Sequence, residues 1–212
     1  MIWRGMEIDG AIFDMDGTLV DSMGLWNDLA DLYVIGKGFD PVPGLRHSFW
    51  DQGVENGCAY LRDTYGITDD PETVLRDMNE IAEGFYRERV EEKAGIRSIL
   101  EELKKGGVRM CVASATDEEV GRYALERTGL DRYFERYFCC KEIGAGKESD
   151  QIYQAARKWL GTETGKTLVF EDALYAARTA SAAGFRLVGV WDQTEPGQRE
   201  LKELSEVYLV LE

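Results

Sequence analysis

Short apolar runs alternate with amphipathic segments along much of the chain. Runs typical of buried strands occupy residues 11–13, 108–113, 137–140, 167–170, 187–190 and 207–211. Between most of them, apolar residues recur at the spacing of a helix that buries one face, as at Ile96, Ile99, Leu100 and Leu103. Because strands that alternate with helices form parallel sheets, we expect an α/β fold, a Rossmann-like parallel sheet with helices on both faces.

Residues typical of helix ends divide these amphipathic segments. Thr116 and Glu119 have the spacing of a capping box, which predicts a helix from there to Gly129. An alanine-rich helix is predicted over residues 173–183, where a glycine follows. The helix predicted after residue 150 has an apolar face formed by Ile152, Ala155, Ala156, Trp159 and Leu160.

The strand–helix alternation stops after the first strand, and residues 21–90 have only helical periodicity. One amphipathic helix carries Leu25, Leu29, Leu32 and Tyr33. A second begins at Asp70-Pro71 and carries Val74, Met78, Ile81 and Phe85. The insertion predicts a small all-helical domain at 21–90, within a core formed by 1–20 and 91–212. The residues before Met6 match no predicted element, so Met6 is an alternative start.

Charge and cysteine content exclude several classes of protein. The 212 residues include 25 Lys and Arg against 40 Asp and Glu, a formal net charge of −15. Binding to nucleic acid or anionic lipid needs clustered basic residues, so we expect neither partner. Four cysteines without zinc-site spacing, and a single histidine, predict free thiols. No apolar stretch suits a signal peptide or membrane span, so the expected location is the cytoplasm.

The chemical signal that stands out follows the first predicted strand. Asp14-Met15-Asp16-Gly17-Thr18 places two carboxylates two residues apart at the carboxyl end of that strand, where open parallel sheets bind ligands. Like charges at this distance need a cation, a shared proton or separate roles. The alternative is an acidic turn, since Asp and Gly are common in turns.

With this motif the sequence resembles the haloacid dehalogenase-like superfamily of phosphohydrolases. Its three later motifs have matches in order: Ser114 ending a strand, Lys147 ahead of a helix, and Glu171-Asp172 ending another strand. Taken singly, these residues also suit a turn hydroxyl, a surface lysine and a helix cap. Four motifs in order favour the catalytic interpretation.

The resemblance implies a role for each motif residue. Asp14 would be the nucleophile that forms an aspartyl-phosphate, and Asp16 the general acid and base. Magnesium would be held by Asp14, the backbone carbonyl of Asp16, and Asp172, with Glu171 beside them.

The phosphate-binding set implied by the resemblance is Ser114, Lys147 and Thr18. The first two would hold phosphoryl oxygens, and the lysine would supply positive charge. Thr18 would act by ordering the turn.

The helical insert looks like the family's cap, as in the beta-phosphoglucomutase and phosphoglycolate phosphatase group. Some positions depart from the family's pattern. Relatives commonly have Pro directly after the motif lysine and Pro-Asp shortly after it, where this chain has Glu148, Asp150 and Gln151. They also commonly have Ser directly after the last acid and Gly three residues later, where Ala173 and Ala176 stand. These differences affect loop geometry but leave the charged groups in place.

The expected function is magnesium-dependent hydrolysis of a small soluble phosphomonoester. A phosphomutase acting on a sugar phosphate is an alternative, since its core machinery would be the same. A phosphorylatable receiver-like module fits the acceptor aspartate but not the helical insert, and a dehalogenase would lack Asp16. Substrate choice is expected in the cap, where the first polar candidates are Arg46, His47, Lys37 and Arg62.

Overall fold

The structure, a computed structural model, describes residues 1–43, 45–46 and 53–211. The chain divides into two units. The larger comprises Met1–Ser22 and the chain from Val90 onward, and the smaller is Met23–Arg89. Within the described ranges, no helix is both long and apolar enough to cross a membrane.

A six-stranded parallel sheet forms the centre of the larger unit. Its strands are β3 (Gly10–Phe13), β4 (Arg109–Ser114), β5 (Tyr137–Cys139), β6 (Thr167–Glu171), β7 (Arg186–Val190) and β8 (Val207–Leu209). Their order in the sheet is β5-β4-β3-β6-β7-β8, and every neighbouring pair is parallel. Each predicted apolar run forms one of these strands, and the predicted α/β fold class is confirmed.

Helices follow the strands in the alternation that the sequence predicts. They are α4 (Ile96–Lys105), α5 (Glu118–Thr128), α6 (Cys140–Ile143), α7 (Gln151–Leu160), α8 (Leu174–Ala182) and α9 (Gln198–Leu204). Gly129 and Gly161 end α5 and α7 with positive φ angles of 67° and 70°, a conformation that glycine adopts without steric cost.

Side chains from the strands alternate between the two faces of the sheet. Ile12 and Val169 belong to the buried cluster that includes Ile152 and Ala156 of α7. Their neighbours Phe13 and Phe170 are stacked on each other, with ring centroids 4.1 Å apart. Both faces of the central strands are therefore buried, which explains their continuous apolar sequence.

The start of α5 differs from the prediction. Its N-cap is Asp117, which makes no side-chain capping bond, so the Thr116–Glu119 capping box is wrong. The Thr116 hydroxyl instead donates to the carboxylate of Asp16 at 2.6 Å. Thr116 therefore bonds to a residue outside the helix instead of capping α5.

A short hairpin precedes the sheet, where the sequence predicts no element. β1 (Ile2–Trp3) pairs with β2 (Met6–Glu7) antiparallel. Trp3 is 1% exposed, and its indole nitrogen donates to Glu102 at 3.1 Å. Strands of two residues are too short to produce a periodic pattern.

The smaller unit is helical and contains α1 (Met23–Gly36), α2 (Val54–Tyr65) and α3 (Pro71–Glu88). As predicted, α3 begins at Pro71, with the Asp70 side chain accepting from the Thr73 amide at 2.9 Å. The residues that α1 and α3 bury include Leu25, Leu29, Tyr33, Val74, Met78 and Tyr86. The predicted Ile81 and Phe85 are only half-buried.

The four polar residues suggested for substrate choice differ in their surroundings. Lys37 is paired within the smaller unit, with Asp69 at 2.8 Å and Asp77 at 3.0 Å. Arg46 and Arg62 are exposed, and His47 lies outside the described residues. Lys37 is therefore held by ion pairs within its own unit.

Candidate active site

Three neighbouring strands bring the predicted residues to one edge of the sheet. β4, β3 and β6 are consecutive and parallel, so their carboxyl ends meet there. Asp14 directly follows β3, Ser114 ends β4 and Glu171 ends β6. Of the predicted site residues, Asp16 is half-buried; the buried ones are Asp14, Thr18, Ser114, Lys147, Glu171 and Asp172.

Lys147 connects two of these carboxylates. It lies between α6 and α7, is 3% exposed, and donates to Asp14 and to Oε1 of Glu171, the latter at 2.6 Å. Burial alone would lower the pKa of Lys147, but the carboxylates of Asp14 and Glu171 outweigh that effect and raise it well above its usual value. The site therefore holds a fixed positive charge.

The acidic side chains at this edge can carry more negative charge than Lys147 can balance. Asp14, Glu171 and Asp172 each offer a carboxylate oxygen within 4.8 Å of the others. Burial, with the nearby charges of Glu171 and Asp16, raises the pKa of Asp14 to about 8. Burial, with the charges of Asp14 and Glu171, raises the pKa of Asp172 well above its usual value. Burial and the nearby negative charges therefore let Asp14 and Asp172 keep their protons to a higher pH than an ordinary aspartate does.

A hard divalent cation fits this arrangement. Oε2 of Glu171 is buried and has no hydrogen-bond partner among the described residues. A buried carboxylate oxygen left without a partner is costly, and three clustered carboxylates are the oxygen ligands that such a cation prefers. An unpaired oxygen and excess negative charge are both features that a cation would satisfy.

Two hydroxyl groups hold the carboxylate of Asp16. Ser22 donates to Oδ1 and Thr116 to Oδ2, each at 2.6 Å. Thr116 is itself held, because the Tyr137 hydroxyl donates to its carbonyl at 3.0 Å. Ser22 and Thr116 were not predicted as site residues, although Thr116 follows Ser114 by two positions at the same sheet edge.

The turn after β3 positions Asp16 and Thr18. The amides of Leu19 and Val20 donate to the Met15 carbonyl at 2.8 and 3.0 Å. Gly17 has a φ of 76°, which a side chain would disfavour. The buried hydroxyl of Thr18 donates to Oδ1 of Asp172 at 3.1 Å.

Ser114 and Asp172 are each held by hydrogen bonds. The Ser114 hydroxyl oxygen accepts from the Thr116 amide at 3.0 Å. The Asp172 carbonyl accepts from the side chain of Gln198 at 3.0 Å, and the Tyr208 hydroxyl donates to the same amide group at 2.8 Å. Gln198 and Tyr208 were not predicted, since nothing in their local sequence relates them to Asp172.

Comparison with known proteins decides the family. The model of the haloacid dehalogenase-like hydrolases matches residues 11–190, most of the chain. The chain belongs to this family. The resemblance inferred from the four motifs is therefore confirmed, and a receiver-like module is excluded.

Relatives of this haloacid dehalogenase-like hydrolase cover between 84% and 96% of the chain. A phosphorylated carbohydrates phosphatase from Thermotoga maritima is 26% identical over 204 residues, 96% of this chain and 94% of its own. A phosphoglycolate phosphatase from Rhodobacter capsulatus is 27% identical and covers 84% of this chain and 81% of its own. The structure of a candidate beta-phosphoglucomutase from Thermotoga maritima superposes with a TM-score of 0.81 at 24% identity, over 95% of this chain and 94% of that one.

The raised pKa of Asp14 predicts how the stability of the metal-free hydrolase changes with pH. In the unfolded chain this carboxyl loses its proton near pH 4, whereas in the folded protein it keeps the proton up to about pH 8. Its contribution to stability is complete below pH 4 and is lost as the pH rises through 8. The free energy of unfolding should fall with pH, by at most about 1.4 kcal/mol per pH unit for each proton held.

Urea denaturation in EDTA at pH 6, 7 and 8 measures this slope. Mg²⁺ should reduce the slope, because a bound cation replaces the proton in stabilising the acids. The Asp14→Asn variant serves as the control and should have a shallower slope, because its amide has no carboxyl proton to lose. A parent protein that gains stability from pH 6 to 8 in EDTA would contradict the prediction.

Proposed function

We propose that this hydrolase cleaves small soluble phosphomonoesters in a Mg²⁺-dependent reaction that passes through an aspartyl-phosphate on Asp14. The observation that carries the proposal is the buried carboxylate of Asp14, which contacts Lys147 and lies within 4.8 Å of two more acids. Two relatives named for phosphatase activity on phosphorylated carbohydrates and on phosphoglycolate support the class of substrate.

Asp14 and Asp16 would divide the chemistry between them. A carboxylate oxygen of Asp14 forms a bond to phosphorus as the bond to the leaving alcohol oxygen breaks, and Asp16 gives its proton to that alcohol. Water then attacks the aspartyl-phosphate, Asp16 takes its proton, and phosphate leaves. The bonds from Ser22 and Thr116 would keep the Asp16 carboxyl oriented for both transfers.

Ser114 and Lys147 would bind the phosphoryl oxygens. Lys147 already contacts the proposed nucleophile, so its charge lies where negative charge has to be neutralised during transfer. Thr18 would support phosphate binding only indirectly, by ordering the turn after β3. Its hydroxyl donates a hydrogen bond to Asp172.

Mg²⁺ would be held by Asp14, Asp172 and the backbone carbonyl of Asp16, with Glu171 beside them. When bound, it supplies positive charge that reduces repulsion between a phosphate dianion and the attacking carboxylate. The buried acids and the unpartnered oxygen of Glu171 support this assignment.

We assign substrate selection to the helical unit Met23–Arg89, in the role of the family's cap, with the core formed by residues 1–20 and 91–212. Its helical composition and its insertion after β3 support this role. Arg46 and Arg62 are the described candidates for contacts with the substrate, since Lys37 is paired within the unit. A cytoplasmic location stays a prediction.

A screen of small sugar, nucleotide and organic-acid phosphates tests the proposed function. We expect continuous release of inorganic phosphate with Mg²⁺ and none with EDTA. Product analysis separates hydrolysis from the phosphomutase alternative, which would yield an isomeric sugar phosphate in place of inorganic phosphate. If no compound releases phosphate over many turnovers, the proposal is wrong.

A further inference from the structure

The two oxygens of the Glu171 carboxylate have different surroundings. Oε1 accepts two hydrogen bonds, from Lys147 at 2.6 Å and from the Tyr153 hydroxyl at 2.9 Å. Oε2 is buried and accepts none from the described residues. Glu171 is only 1% exposed, so water from bulk solvent does not explain the difference. Both protein donors therefore contact the same oxygen, Oε1.

Tyr153 is fixed independently of that bond. It lies in the first turn of α7, is 1% exposed, and belongs to the core cluster that also contains Ile12 and Val169. Its ring is tilted against that of Phe185, with centroids 6.1 Å apart. A ring held by packing has little rotational freedom, so its hydroxyl is a rigid donor at a defined place.

The Tyr153 hydroxyl is not needed to balance the charge of Glu171, because Lys147 already contacts Oε1. Lys147 is shared with Asp14, however, and a flexible ammonium group does not by itself determine which glutamate oxygen it contacts. The rigid hydroxyl of Tyr153 determines which glutamate oxygen is contacted, because it donates to Oε1. With Oε1 occupied twice, Oε2 is the oxygen left for a ligand.

We propose that Tyr153 is a positioning residue for the cation site. Its hydroxyl holds Oε1 of Glu171, which leaves Oε2 for the bound Mg²⁺ or its water. This inference rests on the proposed function, since it requires a divalent cation beside Asp14 and Asp172. It adds a residue from the helix after Lys147, 18 positions before the glutamate that it orients. Groups that orient metal ligands commonly change metal affinity when they are removed.

The Tyr153→Phe variant tests the inference, because phenylalanine keeps the packing and removes the hydroxyl. Isothermal titration of the metal-free protein with MgCl2 should give a dissociation constant raised by roughly 10-fold or more. At saturating Mg²⁺, kcat should return to near the parent value and the substrate KM should be unchanged. Tyr133→Phe is the matched control: its hydroxyl contacts Glu101 at 3.3 Å, and Mg²⁺ binding should stay at the parent level.

A Tyr153→Phe variant that binds Mg²⁺ as tightly as the parent overturns the inference and leaves the proposed function intact. A parent chain that binds no Mg²⁺ overturns both. To separate positioning from a general loss of structure, Tyr153→Phe is repeated in a Glu171→Gln background. There we expect little further weakening, and equal weakening in both backgrounds would show that Tyr153 does not act through Glu171.

Discussion

Replacing Asp14 with asparagine should lower the rate of phosphate release by roughly 10⁴-fold or more, the loss typical when a covalent nucleophile is removed. The amide has nearly the same shape as the carboxylate, and its oxygen can still accept from Lys147. It lacks the negative charge and the nucleophilicity needed to form an acyl phosphate. The expected change is therefore in kcat, measured by phosphate release from the substrate that the screen identifies.

An aspartate-to-asparagine substitution at the other end of β3, Asp9→Asn, is the control. Asp9 is exposed and precedes the strand, and Asp9→Asn should retain the parent rate. Trapping with beryllium fluoride adds a second readout, because the parent should give protein-bound fluorine signals by ¹⁹F NMR that Asp14→Asn lacks. An Asp14→Asn variant with activity within tenfold of the parent would assign the nucleophile to another residue.

Asp14→Asn should also be more stable than the parent without metal, as its shallower pH slope implies. At pH 8 the parent has an acidic cluster that burial and like charges destabilise, and the amide removes one of these charges. Loss of turnover together with a gain in stability would show that the variant is folded. This combination is expected where a site is organised for chemistry at a cost in stability.

The strands and the acidic residues were predictable because each produces a signal within a few residues of sequence. A parallel strand buried on both faces is continuously apolar, so its carboxyl end is easy to locate. Asp14, Ser114 and Glu171 lie at or directly after such ends. The parallel register of β3, β4 and β6 then brings these ends to the same edge of the sheet. The fold class and the family followed from these short segments.

The residues that orient the acids were not predictable in this way. Ser22 and Thr116 reach the same carboxylate from positions 6 and 100 residues away along the chain. Tyr153 and Gln198 are 18 and 26 residues from the site residues that they contact. Such contacts depend on the direction of side chains after packing, which hydrophobic periodicity does not encode.

The pairing of Lys37 illustrates the same limit in the smaller unit. From the sequence it is an isolated basic residue at the end of a helix, and it was a candidate for substrate choice. Its partners Asp69 and Asp77 lie 32 and 40 residues further on, just before α3 and within it. The Tyr33 hydroxyl also donates to Asp69, at 2.9 Å, so the lysine belongs to a local network.

Lys147→Met should reduce both turnover and stability. Methionine approximates the length of the side chain but removes the one cation that contacts Asp14 and Glu171 within the described part of the chain. Loss of a donor that stabilises charge in the transition state lowers kcat by about 10²–10³-fold. Because two carboxylates remain buried without a counter-charge, the free energy of unfolding without metal should fall by about 3–5 kcal/mol at pH 8.

Three comparisons separate this electrostatic effect from general damage to the core. Lys158→Met, an exposed position on α7, should leave turnover and stability at parent levels. Lowering the pH to 5 should restore part of the stability of Lys147→Met, since protonation of Asp14 removes one of the charges that the lysine neutralised. The double variant Asp14→Asn with Lys147→Met should be more stable than Lys147→Met alone in urea denaturation, because one uncompensated carboxylate is gone. A stability loss that is the same at pH 5 and 8, and that the second substitution does not relieve, would mean that Lys147 matters through packing and not through charge.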